Sequence, residues 1–232
     1  MHLHPVARRS RHLLFAILLS AICQTAWSTP AREPGSGVEL RQFDIYREDR
    51  PIGTHTVSRI RQDNLVVVEA RTRISIRLLG FEVYRFHYDA HEIWDEAGLL
   101  QLVAGVDDDG EQVRLEGRRQ GDRFVWSDGE TERSLEMPVY PTNHWNIAVL
   151  GQESVLNTLT GEINSVTIHN EGEETLQLAD SSLPATRYRY DGQLRLVSWY
   201  DRAGRWLAMS FTAGDGSTIR YQCSNCSVKA GL

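Results

Sequence analysis

Between Leu65 and Trp94 the chain runs through two alternating stretches that meet at Leu78-Leu79-Gly80, and no other segment restricts its possible folds as much. On the first stretch the even positions Val66, Val68, Ala70, Ile74, Ile76 and Leu78 are apolar, with Thr72 among them. The odd positions carry Glu69, Arg71, Arg73, Ser75 and Arg77. A period of two with one apolar side is the mark of a half-buried strand, so a β-hairpin is predicted with its core side already labelled. The second stretch has two faces of different chemistry: Tyr84, Phe86, Tyr88 and Trp94 on the even side, Arg85, His87, Asp89 and His91 on the odd side. Register therefore decides whether the interior is aromatic or polar. Gly80 suits the left-handed third position of a three-residue turn over 78–80, which sets even against even, Ile74 opposite Tyr84, and leaves the histidines outside. A two-residue Leu79-Gly80 turn would reverse the faces and force Leu79 into a strained backbone region.

Residues 1–28 read as a signal peptide rather than as fold. Arg8, Arg9 and Arg11 precede an apolar run from Leu13 to Cys23, and Ala26-Trp27-Ser28 fits a cleavage site, so export to the periplasm or beyond is expected, with Thr29 leading the mature chain. The apolar run is too short to span a bilayer, and Ile22 stands where a lipid-modified Cys23 would want a small residue. Losing those three arginines leaves 22 basic side chains against 31 acidic ones, a surface unsuited to nucleic acid. The 24 arginines against the single Lys229 fit a GC-rich bacterial genome. Cys223 and Cys226 are the cysteines left after cleavage. They lack the following helix of a redox pair and the second ligand pair of a zinc site, which leaves a small local disulfide.

Residues 29–37 form a Pro-, Gly- and Ser-containing leader, expected to be flexible, 38–223 form one β domain, and 224–232 a tail. Val38 to Tyr46 looks like a strand whose phase breaks between Leu40 and Phe43, and Gly53 marks a bulge or the close approach of another backbone. Asp107-Asp108-Asp109-Gly110 reads as a hairpin turn, since its glycine is misplaced for a calcium loop. Pro138 to Gly161 breaks the β pattern and predicts two short helices, capped by Thr142 or Asn143, with Ile147, Leu150 and Leu156 on the covered face. Six further strands follow, Ile163–Ile168, Glu174–Leu178, Ala185–Tyr190, Leu194–Tyr200, Trp206–Phe211 and Ser217–Cys223, with turns at Asp191-Gly192, Asp201 to Gly204 and Asp215-Gly216. More than ten sequential antiparallel strands in one mainly-β domain predict a single strongly curved sheet, a half-barrel or clam, with one short helical segment.

Several short pieces carry a resemblance in their order along the chain: Ile52 to Val57, Tyr84-Arg85-Phe86, Glu92-Ile93-Trp94, His144-Trp145-Asn146, Asn157 to Gly161, Ala185 to Tyr188, Trp199-Tyr200-Asp201 with Gly204, and Asp215-Gly216-Ser217. They resemble an uncharacterised family of secreted proteobacterial proteins, the domain-of-unknown-function family 6134. More distantly the layout is similar to clam-shaped half-barrels whose best understood members carry lipoproteins in the periplasm. That likeness implies a concave apolar surface and brings no catalytic residues with it.

The chemistry of the remaining side chains is sparse. His87, Asp89 and His91 would make a metal or acid/base set only if turned inward, and the expected turn makes them solvated partners of Glu69, Arg71 and Arg73. His55 and His144 read as hydrogen-bonded structural histidines rather than catalysts. No nucleophile elbow or phosphate loop exists, and no catalytic residue, metal or cofactor is assigned. The leading expectation is binding or carriage of an apolar, lipid-like ligand on the concave face, lined by Tyr84, Phe86 and Trp94 with His144 and Trp145 at its rim. An envelope structural protein with a filled core is the alternative, and a hydrolase or isomerase using His144 or the His87 set comes third.

Overall fold

The computed structural model describes residues 38–178 and 181–226, so the predicted signal peptide, the leader and the last six residues lie outside the described residues. The first half is a meander of eight strands: β1 Val38–Arg47, β2 Arg50–Gln62, β3 Leu65–Leu78, β4 Phe81–Asp95, β5 Gly98–Asp108, β6 Glu111–Gln120, β7 Arg123–Ser127 and β8 Glu132–Glu136. A strap with a single 3-10 turn, Ile147–Gly151, leads into the second half. There the strands are β9 Ser154–Leu156, β10 Ile163–Gln177, β11 Ser182–Gly192, β12 Leu196–Tyr200, β13 Trp206–Thr212 and β14 Thr218–Cys223.

All fourteen strands form one antiparallel sheet in the order β8-β7-β6-β5-β4-β3-β2-β1-β14-β13-β12-β11-β10-β9. The two meanders join where β1 pairs with β14, Phe43 opposite Cys223 through Arg47 opposite Ile219. The sheet is not closed: β8 and β9 are its edges, consecutive in the chain yet unpaired with each other. Curling brings the two edge regions together through side chains, with Trp126 Nε1 of β7 donating to Gly161 O at 2.8 Å. The core collects on the inner face, where Phe43, Ile45, Val68, Leu102, Leu115, Phe124, Tyr200 and Leu207 are buried. Burial of this kind, roughly 1.5–3 kcal/mol per large apolar side chain, is what a curved sheet gains over a flat one.

The central hairpin keeps the expected faces by a different route. Its turn has two residues, Leu79 (φ 53°) and Gly80 (φ 88°), with Leu78 paired to Phe81. Left alone, that turn would set even against odd. The register slips between Ile76 and Arg77, Val83 is left without a partner as a β-bulge, and beyond it Ile76 faces Tyr84 and Ile74 faces Phe86. Even thus meets even, displaced by two from the predicted pairing of Ile74 with Tyr84. Tyr88, Ala90, Glu92 and Trp94 are buried, whereas Asp89 is exposed and held by both guanidinium contacts of Arg73, at 2.7 and 2.8 Å.

Other expectations need correction. The first strand has no phase break: Leu40 points outward at 56% exposure, and the irregularity lies where Ile45 pairs with Gly53 but Tyr46 with Pro51. Gly53 is required because a Cβ there would stand 2.1 Å from Arg73 O of the next strand. Ile163 to Gln177 is one strand kinked at Gly172 rather than two, and the chain reverses after Gly192 over 193–195. Two helices do not form over 138–161. Asn146 Oδ1 caps only the 3-10 turn, by accepting from Ala148 N at 3.1 Å. Backbone groups of the strap pair across to β9 instead, Leu156 N donating to Tyr140 O and Thr142 N to Leu156 O. Polar side chains that would have capped a helix are drawn into the interior.

Candidate functional site

Inside the curl lies a cavity of about 220 Å³ between the strap and the sheet, walled by Phe86, Leu196, Trp206, Met209, Phe211 and Tyr221. It shares Phe86, Leu159, Phe211 and Tyr221 with a neighbouring open apolar groove of about 550 Å³ lined by Ile74, Ile76, Val83 and Tyr84. Beside the mouth of this groove Leu78, Leu79, Phe81 and Val83 are exposed at the hairpin tip. The alternation of β3 and β4 places Tyr84 and Phe86 on this wall.

Two buried histidines form the inner end. His55 reaches in from β2, its Nδ1 2.8 Å from Thr72 Oγ1, among the rings of Phe43, Trp206 and Tyr221. His144 comes from the strap and packs on Trp206 and Tyr190, each about 5.7 Å away. Each ring retains one buried nitrogen without a hydrogen-bond partner, Nε2 of His55 and Nδ1 of His144. Burial holds both rings neutral: the His55 pKa is lowered to about 3, with proximity to His144 adding to the effect, and that of His144 to about 4. His144 also sits at φ 54°, with Trp145 N donating across it to Asn143 O at 2.7 Å. That three-residue turn is a strained arrangement for a residue with a side chain, and such strain gathers at functional sites.

A second buried group fixes the strap. Glu92 of β4 is 1% exposed, and its Oε2 accepts from Trp94 Nε1 at 2.7 Å and Trp145 Nε1 at 2.9 Å. Its Oε1 accepts from Asn143 Nδ2, while Asn143 Oδ1 accepts the Tyr88 hydroxyl proton at 2.6 Å. The Tyr88 oxygen is also 2.8 Å from Thr158 Oγ1. Burial pushes the Glu92 carboxyl up, and the donors from Asn143, Trp145 and Trp94 oppose it. Sequence reasoning missed this residue, although Glu92 shares the even face with Tyr88 and Trp94.

The site residues expected from sequence thus separate into two groups. Tyr84, Phe86 and His144 border the groove or its inner cavity, whereas Trp94 and Trp145 line neither, their indoles being turned onto Glu92. Asn143, Thr72, Thr142 and Thr158 add polar groups to the cavity wall that no motif announced. His87, Asp89 and His91 lie on the outer face. Among the described residues no cluster of His, Cys, Asp and Glu is arranged to hold a metal, and no helix is long and apolar enough to cross a membrane. Cys223 and Cys226 are joined in a disulfide.

Comparison with known proteins agrees with this architecture. A crystal structure of a beta-barrel-like protein of domain of unknown function DUF1849 from Brucella abortus is similar, with a TM-score of 0.57 over 80% of this chain and 95% of that one. At 11% identity the likeness concerns the fold alone. No curated protein matches the chain. Residues 43–224, the curled sheet with its strap and cavity, match the family described as "Domain of unknown function (DUF6134)", and the chain belongs to that family.

Proposed function

We propose that this protein is an exported carrier or binder of an apolar, lipid-like molecule, held with its hydrocarbon in the groove and its polar end in the cavity. The observation that carries this reading is an open apolar groove sharing a wall of four residues with a cavity that two buried histidines border, each with an unpartnered ring nitrogen. A site of this kind, mostly apolar with a few convergent polar groups, is the usual form of a small-molecule pocket. A merely structural role fits less well, because Phe86 and Phe211, though packed on the core along one side, leave their other side bordering the groove and the cavity. The enzyme reading lacks a competent base. Neither histidine is oriented by a carboxylate, and groups with pKa values near 3 and 4 are weak proton acceptors at neutral pH.

Mass spectrometry of an organic extract of the purified mature protein tests the reading, with an amphipathic molecule expected at near-stoichiometric amount. Displacement of a bound fluorescent apolar probe supplies a second measurement, expected to saturate in the wild type and to be lost in Ile76→Glu and Phe211→Glu. An empty extract together with no saturable probe binding overturns it. Export is tested separately by sequencing the N-terminus of the secreted chain, which is expected to begin at Thr29.

A further inference from the structure

We propose that the inner end of the cavity is a head-group subsite for the carboxyl group of a single-chain acid, held between His55 Nε2 and His144 Nδ1. The inference rests on the groove being a ligand site and adds the chemistry of the ligand's polar end.

Both imidazoles are at least nine-tenths buried, both border the cavity, and each has a buried nitrogen without a partner. Native interiors seldom leave such atoms unpaired, and an ordered water or a bound group is a usual partner. The two rings lie against the same indole, Trp206, at 5.5 and 5.7 Å between centroids, and all three residues line the one cavity. The cavity wall contains no aspartate or glutamate although the chain has 31 acidic residues, and its one fully charged side chain is Arg195, exposed at the rim. An ammonium group would meet that arginine and no carboxylate. A hydroxyl carries one proton and matches two ring nitrogens less fully than a carboxyl group, whose two oxygens can serve one ring each.

The proton count follows from the surroundings. The groups facing the two rings are Tyr221 of β14 beside His55, Tyr190 of β11 beside His144, and Tyr200 of β12, whose hydroxyl donates to His144 O at 3.0 Å. Burial pushes all three phenols up, Tyr221 to about 12, so they stay neutral through the range of interest. Tyr88 of β4 also lines the cavity and is likewise pushed up by burial, and its hydroxyl and the Glu92 carboxyl, which does not line the cavity, both hold the Asn143 side chain. The empty subsite is therefore uncharged at neutral pH, since the His55 and His144 rings are neutral. A carboxylate moving in from water has to be neutralised by one proton, shared among its oxygens and the two imidazoles; no covalent bond forms or breaks.

Titration calorimetry with dodecanoate, dodecanol and dodecyltrimethylammonium, each run in two buffers of different ionisation enthalpy, reads both parts of the proposal. Dodecanoate is expected to bind about tenfold or more tightly than dodecanol, to take up close to one proton, and to tighten from pH 8 to pH 6. The ammonium compound is expected to bind more weakly than either. In His55→Leu/His144→Phe the acid's advantage and its proton uptake disappear while dodecanol binding is kept. Equal affinity for acid and alcohol in the wild type, or acid binding without proton uptake, overturns the subsite and leaves the groove reading standing. If none of the three binds, both readings fall. The wild-type ratio and proton count decide the matter even where the double variant does not fold.

Discussion

Glu92 shows how much one buried residue can determine about a segment far from it in sequence. Its carboxyl gathers two indole N–H groups and one amide, and two of those three donors belong to the strap. Removing the acceptor leaves three buried donors unpaired, so Glu92→Ala is expected to cost about 3–5 kcal/mol. Glu92→Gln can still accept from both indoles but turns an amide toward Asn143 Nδ2, donor against donor, and should cost about 1–3 kcal/mol. Urea titrations followed by tryptophan fluorescence check both; a loss under 0.5 kcal/mol for the alanine variant would show that the strap is held by something else. The histidines give a pH signature of their own. Their folded pKa values lie below the unfolded value, so the unfolded chain binds more protons as pH falls below 6.5. Stability is therefore full above that value and is lost progressively toward pH 4, by up to about 1.4 kcal/mol per pH unit for each ring. Glu92, whose folded pKa is raised, has the opposite sign and gains stability as pH falls toward 4.5. Unfolding free energies at pH 7, 6 and 5 are expected to decline, and to decline more steeply in Glu92→Gln; a flat profile would mean that the rings are not buried neutral. Of these residues only His144 was readable as a site residue from sequence. Glu92 and Asn143 look like surface polar residues until the strap is laid on the sheet, because their partners lie 51 residues apart.

At the level of the element, the central hairpin was readable in its faces and unreadable in its turn. Alternation reports which side is buried and is blind to how the register is reached, since a two-residue turn followed by a bulge has the same parity as a three-residue turn. The bulged Val83 has no compositional mark, and Leu79 is a residue that turn chemistry disfavours. At φ 53° leucine occupies a left-handed position where asparagine is at ease, and Asn-Gly is the preferred pair for a two-residue hairpin turn. Leu79→Asn should accordingly raise stability by about 0.5–1 kcal/mol, read as a higher thermal midpoint. No gain would be expected if the turn had three residues and Leu79 an ordinary right-handed conformation. Nothing in the folding of the hairpin favours a leucine that is 91% exposed and strained. The two predicted helices failed for a related reason. Their apolar spacing was satisfied by a strap whose polar groups had stronger partners across the cavity.

For the whole molecule, a sheet of more than ten sequential strands was legible because most of them end in their own turn motif, although two expected strands are one, β10, and β9 lies in the segment expected to be helical. The seam between β1 and β14 was not legible. Strands about 170 residues apart are joined by no turn, and only five residue pairs make up their ladder. The seam is extended by the small loop that the Cys223–Cys226 disulfide closes. Ser224 N donates to Gln42 O at 2.8 Å, Gln42 N to Asn225 Oδ1 at 2.9 Å, and Asn225 Nδ2 to Leu40 O at 3.1 Å, so the loop carries the pairing of β1 on toward its start. Arg41 adds a contact to Cys226 Sγ at 3.2 Å. The loop that the disulfide closes therefore holds the two meanders together beyond their ladder. Replacing both cysteines with serine removes a closure worth about 2 kcal/mol for so short a loop, which for a domain of this size lowers the thermal midpoint by about 4–8 °C. Asn225→Ala should be costly only while the loop is closed and holds the amide in place. In the serine background the same change should be nearly silent, and the difference between the two backgrounds measures the coupling directly. Equal losses in both would mean that Asn225 finds β1 without help from the disulfide, and that the seam is held by its five ladder pairs alone.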